Sequence, residues 1–430
     1  MKLIKGFRDI FPYSDNVIED SVLWNFIEKS ISSKLENYNF EKIITPIIEN
    51  KTTFNTGIGN DTDIISKEMY EFLLYKDSQV TNDIIYCLRP EGTASTVRSY
   101  LENSLFKRRK INKLYYMGPM FRYERSQKGR YRQFYQVGAE ILGSKDIFYE
   151  FELISLGVDL IKETGIDDFV VEINSIGDIN SLNKLSEEVR NFTNKNKEKI
   201  QDSDFEIINK NPLRFLDKAI HKYNFEDIPK SSDFISSDSK LRFDEIINLL
   251  DKNNIKFNIN HQLVRGLDYY NDLVFEIKSD SLGAQDTILA GGRYDKLVSK
   301  FGGPETFCVG FAAGIERLIL LSSSDIRKKA YERIDFYVAY QKPDFKEFAN
   351  EVCSRLRKIG FNVLIEYEFK NFVKQIKSAD KMNSKMLITI GEEEMNAKSI
   401  KIKDMSSGKE DIIKNKNIEK DIKNISNNEK

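Results

Sequence analysis

Cysteine is scarce in this 430-residue chain: Cys87, Cys308 and Cys353 stand far apart, with no CxxC pair. That spacing argues against a disulfide framework and a zinc site, and fits a reducing compartment. No apolar run approaches the roughly 18 residues that a membrane-spanning helix needs. The opening MKLIKGFRDIFP lacks a signal peptide's long apolar stretch and small-residue cleavage site. A cytoplasmic protein without a membrane partner is expected. Excess charge of either sign is also missing, since 66 Lys and Arg face 67 Asp and Glu. Nucleic-acid binding therefore gains no support from net charge, although phosphate is met by local patches rather than by the chain average. With only His221 and His261 present, no Ser/His/Asp or Cys/His constellation forms, and both histidines are expected to be structural or superficial. No GxxxxGK[ST] occurs, and Gly57-Ile-Gly59 is too short a glycine pattern to replace it.

What is present suits a large folded protein. Hydrophobic residues make up 40% and aromatics 12%, ample for a sizeable core in two or three domains. Apolar residues at helical spacing (Val22, Phe26, Ile27, Ile31, Leu35) predict a helix over 17–38. The segment Phe40–Ile47 reads as a strand interrupted by Pro46, which belongs at a strand end, an edge or an interface. Residues 1–325 are expected to form an α/β (α+β) catalytic domain, with a helical insertion at about 175–255 where the composition shifts to Lys, Glu, Asn and Ser. A charged linker is expected over 326–333. Strands and helices then alternate from Ile334 to Ile390, predicting a small α/β domain over 334–430 whose tail beyond Lys409 frays.

The most informative segment is Lys113–Leu142. Two strand-like runs, Lys113–Arg125 and Gln133–Leu142, flank the polar loop Ser126–Arg132, predicting an antiparallel hairpin. Side chains two apart share a face, so Arg122 joins Glu124, while Phe134, Gln136, Gly138 and Glu140 line up. Charged groups, an amide and an aromatic plane thus gather around a glycine, the polar convergence that a small charged ligand requires. The loop residues Gln127, Lys128, Arg130 and Arg132 supply polar and basic groups suited to a phosphate-rich partner.

Phe121-Arg-Tyr-Glu124, the loop and Phe134 resemble motif 2 of the class II aminoacyl-tRNA synthetases. The resemblance implies that Arg122 holds the α-phosphate of ATP, Glu124 meets the adenine amino group and Phe134 stacks on adenine. Gly310–Leu318, read as a glycine-flanked turn into a helix, resembles motif 3 and implies that Arg317 grips the γ-phosphate. The helix and strand over 17–47 would be motif 1, whose proline lies at a homodimer interface in that class. The implied architecture is the class II antiparallel-sheet catalytic domain followed by a small anticodon-binding α/β domain.

Leu263-Val-Arg-Gly-Leu-Asp-Tyr-Tyr-Asn271 and Ala290-Gly-Gly-Arg-Tyr-Asp295 resemble the two signature peptides of histidyl-tRNA synthetases. Arg89-Pro-Glu-Gly-Thr93 and Lys128–Phe134 also match, and together the resemblance covers about residues 4–175 and 258–405. It implies a pocket for L-histidine. Glu91, Gly92, Thr93 and Gln136 would hold the α-ammonium, Glu140 and Tyr270 would bracket the imidazole, and Tyr269 and Tyr294 would line the site. Arg265 would face Arg122 across the α-phosphate, and Arg122, Arg265, Arg317 and Mg²⁺ would carry adenylate formation before transfer to the tRNA specific for histidine. Departures from the family pattern are few: Tyr135, Lys296, and Ser126 in place of a common loop proline. In the C-terminal domain Lys374, Lys377 and Lys381 would meet RNA phosphates or water. Two rivals share the fold: a catalytically silent regulatory subunit of ATP phosphoribosyltransferase, and an inactive RNA-sensing module. The retained Glu91, Arg122, Gln136, Glu140, Arg265, Tyr270 and Arg317 count against both.

Overall fold

The computed structural model describes residues 2–59, 62–76, 79–80, 84–124, 130–218, 220–223, 225, 227–283, 286–332 and 334–427. They form two compact units, Met1–Ser323 and Ser324–Lys430. Among the described residues, no helix is long and apolar enough to cross a membrane.

Helix α1, Ser21–Asn37, buries Val22, Leu23, Ile27, Ile31 and Leu35 along one stripe. It starts four residues later than the apolar spacing predicts, because Asp20 adopts extended backbone angles and its carboxylate caps the Val22 N–H at 2.9 Å. The expected strand over 40–47 shrinks to β1, Glu41–Lys42. Pro46 lies beyond it, and the Thr45 carbonyl is taken instead by the buried Arg89 guanidinium at 2.9 Å. A backbone acceptor spent on a side chain, beside a residue with no donor, cannot extend a ladder.

Helix α2 is Thr93–Glu102. The predicted hairpin follows as β2, Asn112–Phe121, and β3, Gln133–Leu142, antiparallel along their whole length. Helix α3, Phe148–Glu163, leads to β4, Val170–Ser175. The insertion then contributes α4 (Ile179–Lys195), α5 (Asp202–Lys210), α6 (Pro212–Lys218) and α7 (Ser237–Lys252). Leu185, Val189, Phe192, Ile208, Phe215 and Leu216 give it an apolar core, which extends onto Leu263 and Val264. The chain returns through β5 (Phe257–Ile259), β6 (Asn271–Lys278), β7 (Thr287–Arg293) and β8 (Cys308–Gly314). The segment Gly310–Gly314, read from sequence as a turn, is therefore a strand: it pairs with β3 and β7, and only Ile315 starts the helix α8, Ile315–Leu321. The eight strands form one mixed sheet in the order β1-β2-β3-β8-β7-β6-β4-β5. Its interior pairs are antiparallel, whereas β1 joins β2 and β5 joins β4 in parallel at the two edges.

In the second unit, helix α9, Ser324–Tyr331, occupies most of the stretch expected to be a linker. Asp325, Lys328 and Lys329 are exposed and Arg327 is partly so, while Ala330 is buried, so a charge-rich composition here marks a helix surface. Strand β9, Phe336–Tyr340, is followed by α10 (Lys346–Lys358), β10 (Val363–Ile365), α11 (Phe372–Lys381) and β11 (Met386–Ile390). The tail expected to fray instead carries regular structure as far as Asn427. Strand β12, Ser399–Asp404, pairs with β13, Glu410–Lys414, and α12, Ile418–Asn427, follows. Ile413, Ile418 and Ile422 are buried in the unit's core, and Arg355 grips Glu419 with two hydrogen bonds of 2.6 Å.

Candidate active site

Directly opposed residues of an antiparallel pair share a face, so the register across β3, β8, β7 and β6 states which side chains rise together. Gly138 stands opposite Ala312, Ala312 opposite Ala290, and Ala290 opposite Glu276. Glu140 stands opposite Gly310, and Gln136 opposite Gly314. The sheet therefore presents a floor of glycine and alanine from which a few polar side chains project.

Space at one end of that floor is set by glycines. A Cβ on Gly92 or on Gly138 would come within 2.2 Å of the Tyr116 ring, and one on Gly310 within 1.7 Å of the Glu140 carboxylate. Tyr116 thus fills a slot between the start of α2 and strand β3, and its buried hydroxyl has no hydrogen-bond partner. Glu140 accepts from the Thr93 hydroxyl at 2.7 Å and from the Tyr294 hydroxyl at 2.5 Å. Burial first, and then the nearby Glu91, push its carboxyl up to about 8 against those two hydrogen bonds. Glu91 turns back to cap its own helix, accepting from the Thr93 and Ala94 N–H groups at 2.7 and 2.8 Å. Burial raises its pKa too, while the two N–H groups and Arg122 oppose the rise. The Gln136 carboxamide oxygen is buried without a donor. Tyr269 packs on Tyr270 at 4.6 Å and on Tyr294 at 5.7 Å between ring centres, closing the side of the pocket.

Cations gather at the other end. The Arg122 guanidinium lies 5.1 Å from the Phe134 ring centre, and its Nε donates to the Pro90 carbonyl at 2.9 Å. Glu124 pairs with Arg130 at 3.0 Å and lies 3.9 Å from Arg122. Arg317 leaves the first turn of α8 and donates to the Thr287 carbonyl. Burial and the positive fields of Arg130 and Arg122 lower its pKa, only partly offset by Glu124. Arg265 is ion-paired with Glu276 and lies 5.9 Å from the Tyr270 ring centre, bridging the cationic and aromatic ends.

Of the residues singled out from sequence, Glu91, Gly92, Thr93, Gln136, Glu140, Tyr269, Tyr270 and Tyr294 come together in the pocket, and Arg122, Glu124, Phe134, Arg130 and Arg317 beside it. Gln127 and Lys128 lie outside the described residues. Arg132 points elsewhere: it stacks on Tyr123 at 4.0 Å and reaches the Lys5 carbonyl. His261 lies in the turn after β5, its Nδ1 buried without a partner, and the side chain of His221 is not among those described. Sequence reasoning missed Tyr116, although the mid-strand Gly138 opposite it was the available signal. It also missed Glu316, which pairs with Arg8 and accepts the Tyr135 N–H at 3.0 and 3.1 Å, seating α8 against the hairpin.

Guanidinium groups at one end of a sheet face and buried polar side chains at the other agree with what the class II aminoacyl-tRNA synthetase resemblance implies, and the large mixed sheet has that class's form. Comparison with known proteins narrows the class. Residues 14–318 match the family model for histidyl-tRNA synthetase, and residues 335–425 that for the anticodon binding domain. The histidine–tRNA ligase of Dictyoglomus thermophilum is 39% identical over 423 residues, spanning 98% of each chain. That of Bacillus licheniformis is 39% identical over 416 residues, spanning 95% of each. The apo histidyl-tRNA synthetase of S. aureus superposes with a TM-score of 0.74 at 29% identity, covering 97% of this chain and 99% of that one. A Bacillus halodurans structure described as an ATP phosphoribosyltransferase regulatory subunit/histidyl-tRNA synthetase shares the fold, with a TM-score of 0.63 at 20% identity over 91% of this chain and 98% of that one. The chain belongs to the histidyl-tRNA synthetase family.

The raised Glu140 carboxyl carries a pH signature. Native protein holds this proton where the unfolded chain has released it, so stability is full below the ordinary glutamate range and falls as pH rises toward about 8. Glu140→Gln removes that slope. Between pH 5 and pH 9 the variant should gain on the wild type by on the order of 2–4 kcal/mol, whatever constant offset the substitution adds. Thermal unfolding of both proteins across that range checks it, and parallel curves would refute the assignment.

Proposed function

We propose that the chain is a histidine–tRNA ligase that activates L-histidine with ATP and transfers it to the tRNA specific for histidine. The observation that supports this best is the layout of one sheet face: a cluster of buried acceptors that includes a carboxamide oxygen with no donor, continuous with Arg122, Arg130 and Arg317 around Glu124.

In this reading the histidine ammonium sits among Glu91, Thr93 and Gln136, with Gly92 keeping the entrance narrow. The imidazole lies between Glu140 and Tyr270, lined by Tyr269 and Tyr294. A site that matches both ring nitrogens rejects analogues that would leave one of its buried polar groups unpaired, by as much as about 10⁴-fold. ATP lies along the arginines: adenine on Phe134 with its amino group at Glu124, the α-phosphate between Arg122 and Arg265, the γ-phosphate at Arg317. A histidine carboxylate oxygen attacks the α-phosphorus in line, the bond to the bridging oxygen breaks, and pyrophosphate leaves. Negative charge grows on phosphate oxygens that fixed guanidinium groups already face, so no protein nucleophile is required. A terminal ribose hydroxyl of the tRNA then attacks the acyl carbon, and AMP departs.

Among the described residues, no three His, Cys, Asp or Glu converge to hold a metal alone. Mg²⁺ fits this reading as an ion carried on the triphosphate, where it needs at most one or two protein carboxylates. Bound there it would offset phosphate charge. Arg130, exposed beside Glu124, is left to meet the tRNA acceptor end, and the 335–425 domain the anticodon.

A cytoplasmic homodimer completes the proposal. Ile44, Ile47 and Ile48 flank Pro46 and are 83%, 42% and 50% exposed, an apolar strip that a second copy would cover. Ile44→Asp should move the protein toward the monomer mass in sedimentation analysis. A wild type that is already monomeric at micromolar concentration would contradict it.

The activity itself is tested by ATP–pyrophosphate exchange with each of the twenty amino acids. Histidine alone should stimulate exchange, and Arg265→Ala should lower kcat/KM by at least about 10³-fold with the fold intact. Stimulation by a different amino acid, or by none, would overturn the reading.

A further inference from the structure

Glu276 rises from the sheet floor in the same row as Gly138, Ala312 and Ala290, on the face that carries the pocket. It is 7% exposed, and both carboxylate oxygens are engaged. Oε1 takes the Arg265 guanidinium. Oε2 accepts from the Thr287 hydroxyl at 3.1 Å and from Lys278 at 3.3 Å. Thr287 in turn presents its backbone carbonyl to Arg317. One carboxylate is thus tied to two guanidinium groups that approach the site from different parts of the chain: Arg265 from the loop before β6, and Arg317 from helix α8.

The tie does not exhaust Arg265. Its Nε is buried without a hydrogen-bond partner, so the guanidinium keeps a donor for a ligand after Glu276 has fixed its position. Burial alone would weaken its charge, but Glu276, followed by Tyr270 and Asp217, outweighs that and keeps it fully cationic. Asp217 belongs to α6 of the insertion, and a Cβ on Gly266 would lie 3.0 Å from its carboxylate, so the turn carrying Arg265 is held between sheet and insertion.

We propose that Glu276 is a positioning residue that aligns Arg265 and, through Thr287, Arg317 on one triphosphate. The proposal rests on the reading of the cationic end as the ATP site. Displacing a fixed cation by about 1 Å costs on the order of 10²-fold in rate, so a carboxylate that locks two cations acts on kcat without touching substrate.

Histidine-dependent ATP–pyrophosphate exchange tests it with Glu276→Gln, Thr287→Val, Arg265→Ala and the double variant Arg265→Ala/Glu276→Gln. Glu276→Gln should lower kcat about 10–100-fold and leave the histidine KM within about twofold. Thr287→Val should cause a smaller loss of the same kind. In the Arg265→Ala background, Glu276→Gln should cost no more than Thr287→Val does alone, because the Arg265 share is already lost and groups that act as a unit are not additive. Full kcat in Glu276→Gln would overturn the proposal, as would an equal loss in both backgrounds, which marks a merely structural ion pair. Should Glu276→Gln fail to fold, Thr287→Val decides, and full kcat there overturns it. A wild type without histidine-dependent exchange would instead overturn the underlying reading and the proposal with it.

Discussion

Tyr116 stands on the central hairpin with its ring between Gly92 and Gly138, and Glu140 reaches across Gly310 to meet Thr93 and Tyr294. These contacts exist only because three glycines, on three separate segments, leave the space. Any side chain there would meet a ring or a carboxylate well inside contact distance, and close-packed interiors do not yield to that without moving backbone. The small-residue row of β8 follows from the same demand. A floor without side chains lets a few buried polar groups set the pocket's shape and chemistry.

Electrostatics follows from that geometry. Glu91 and Glu140 are buried near one another, and burial raises both, Glu140 to about 8. A few residues away, Arg122, Arg130 and Arg317 share the field of Glu124, and burial with the two neighbouring guanidinium groups lowers the Arg317 pKa. Acidic and basic ends meet where Arg122 moderates Glu91. In the proposed reading a polyphosphate would lie against the guanidinium groups and an amino acid's ammonium among the buried acceptors. The same arrangement explains why no nucleophilic constellation is needed.

Legibility in the sequence tracked the range of the forces involved. The hairpin was readable because strand alternation is local, and its faces could be assigned from spacing alone. Helix α1 was readable for the same reason, missing only the Asp20 cap that shortens it. Tyr116 was not readable, because its role depends on Gly92 and Gly138 converging on it from segments far apart in the chain. Glu276 was hidden similarly: its importance lies in a register that places it beside Ala290 and near Arg265. The C-terminal tail misled because its few isoleucines are diluted by Lys and Asn, yet Ile413, Ile418 and Ile422 find a core prepared by β9 and β11. Arg132 looked like an RNA contact from composition and instead braces the N-terminal segment through Lys5.

In the proposed reading, glycine at the floor, by seating Glu140, shapes the amino-acid pocket independently of the cationic end. Calorimetric titration of Gly310→Ala with L-histidine and, separately, with ATP tests this most directly. Displacement of Glu140 should weaken histidine binding by at least about tenfold, or 1.4 kcal/mol, while ATP affinity stays within about twofold. Unchanged histidine affinity, or an equal loss for both ligands, would contradict the account.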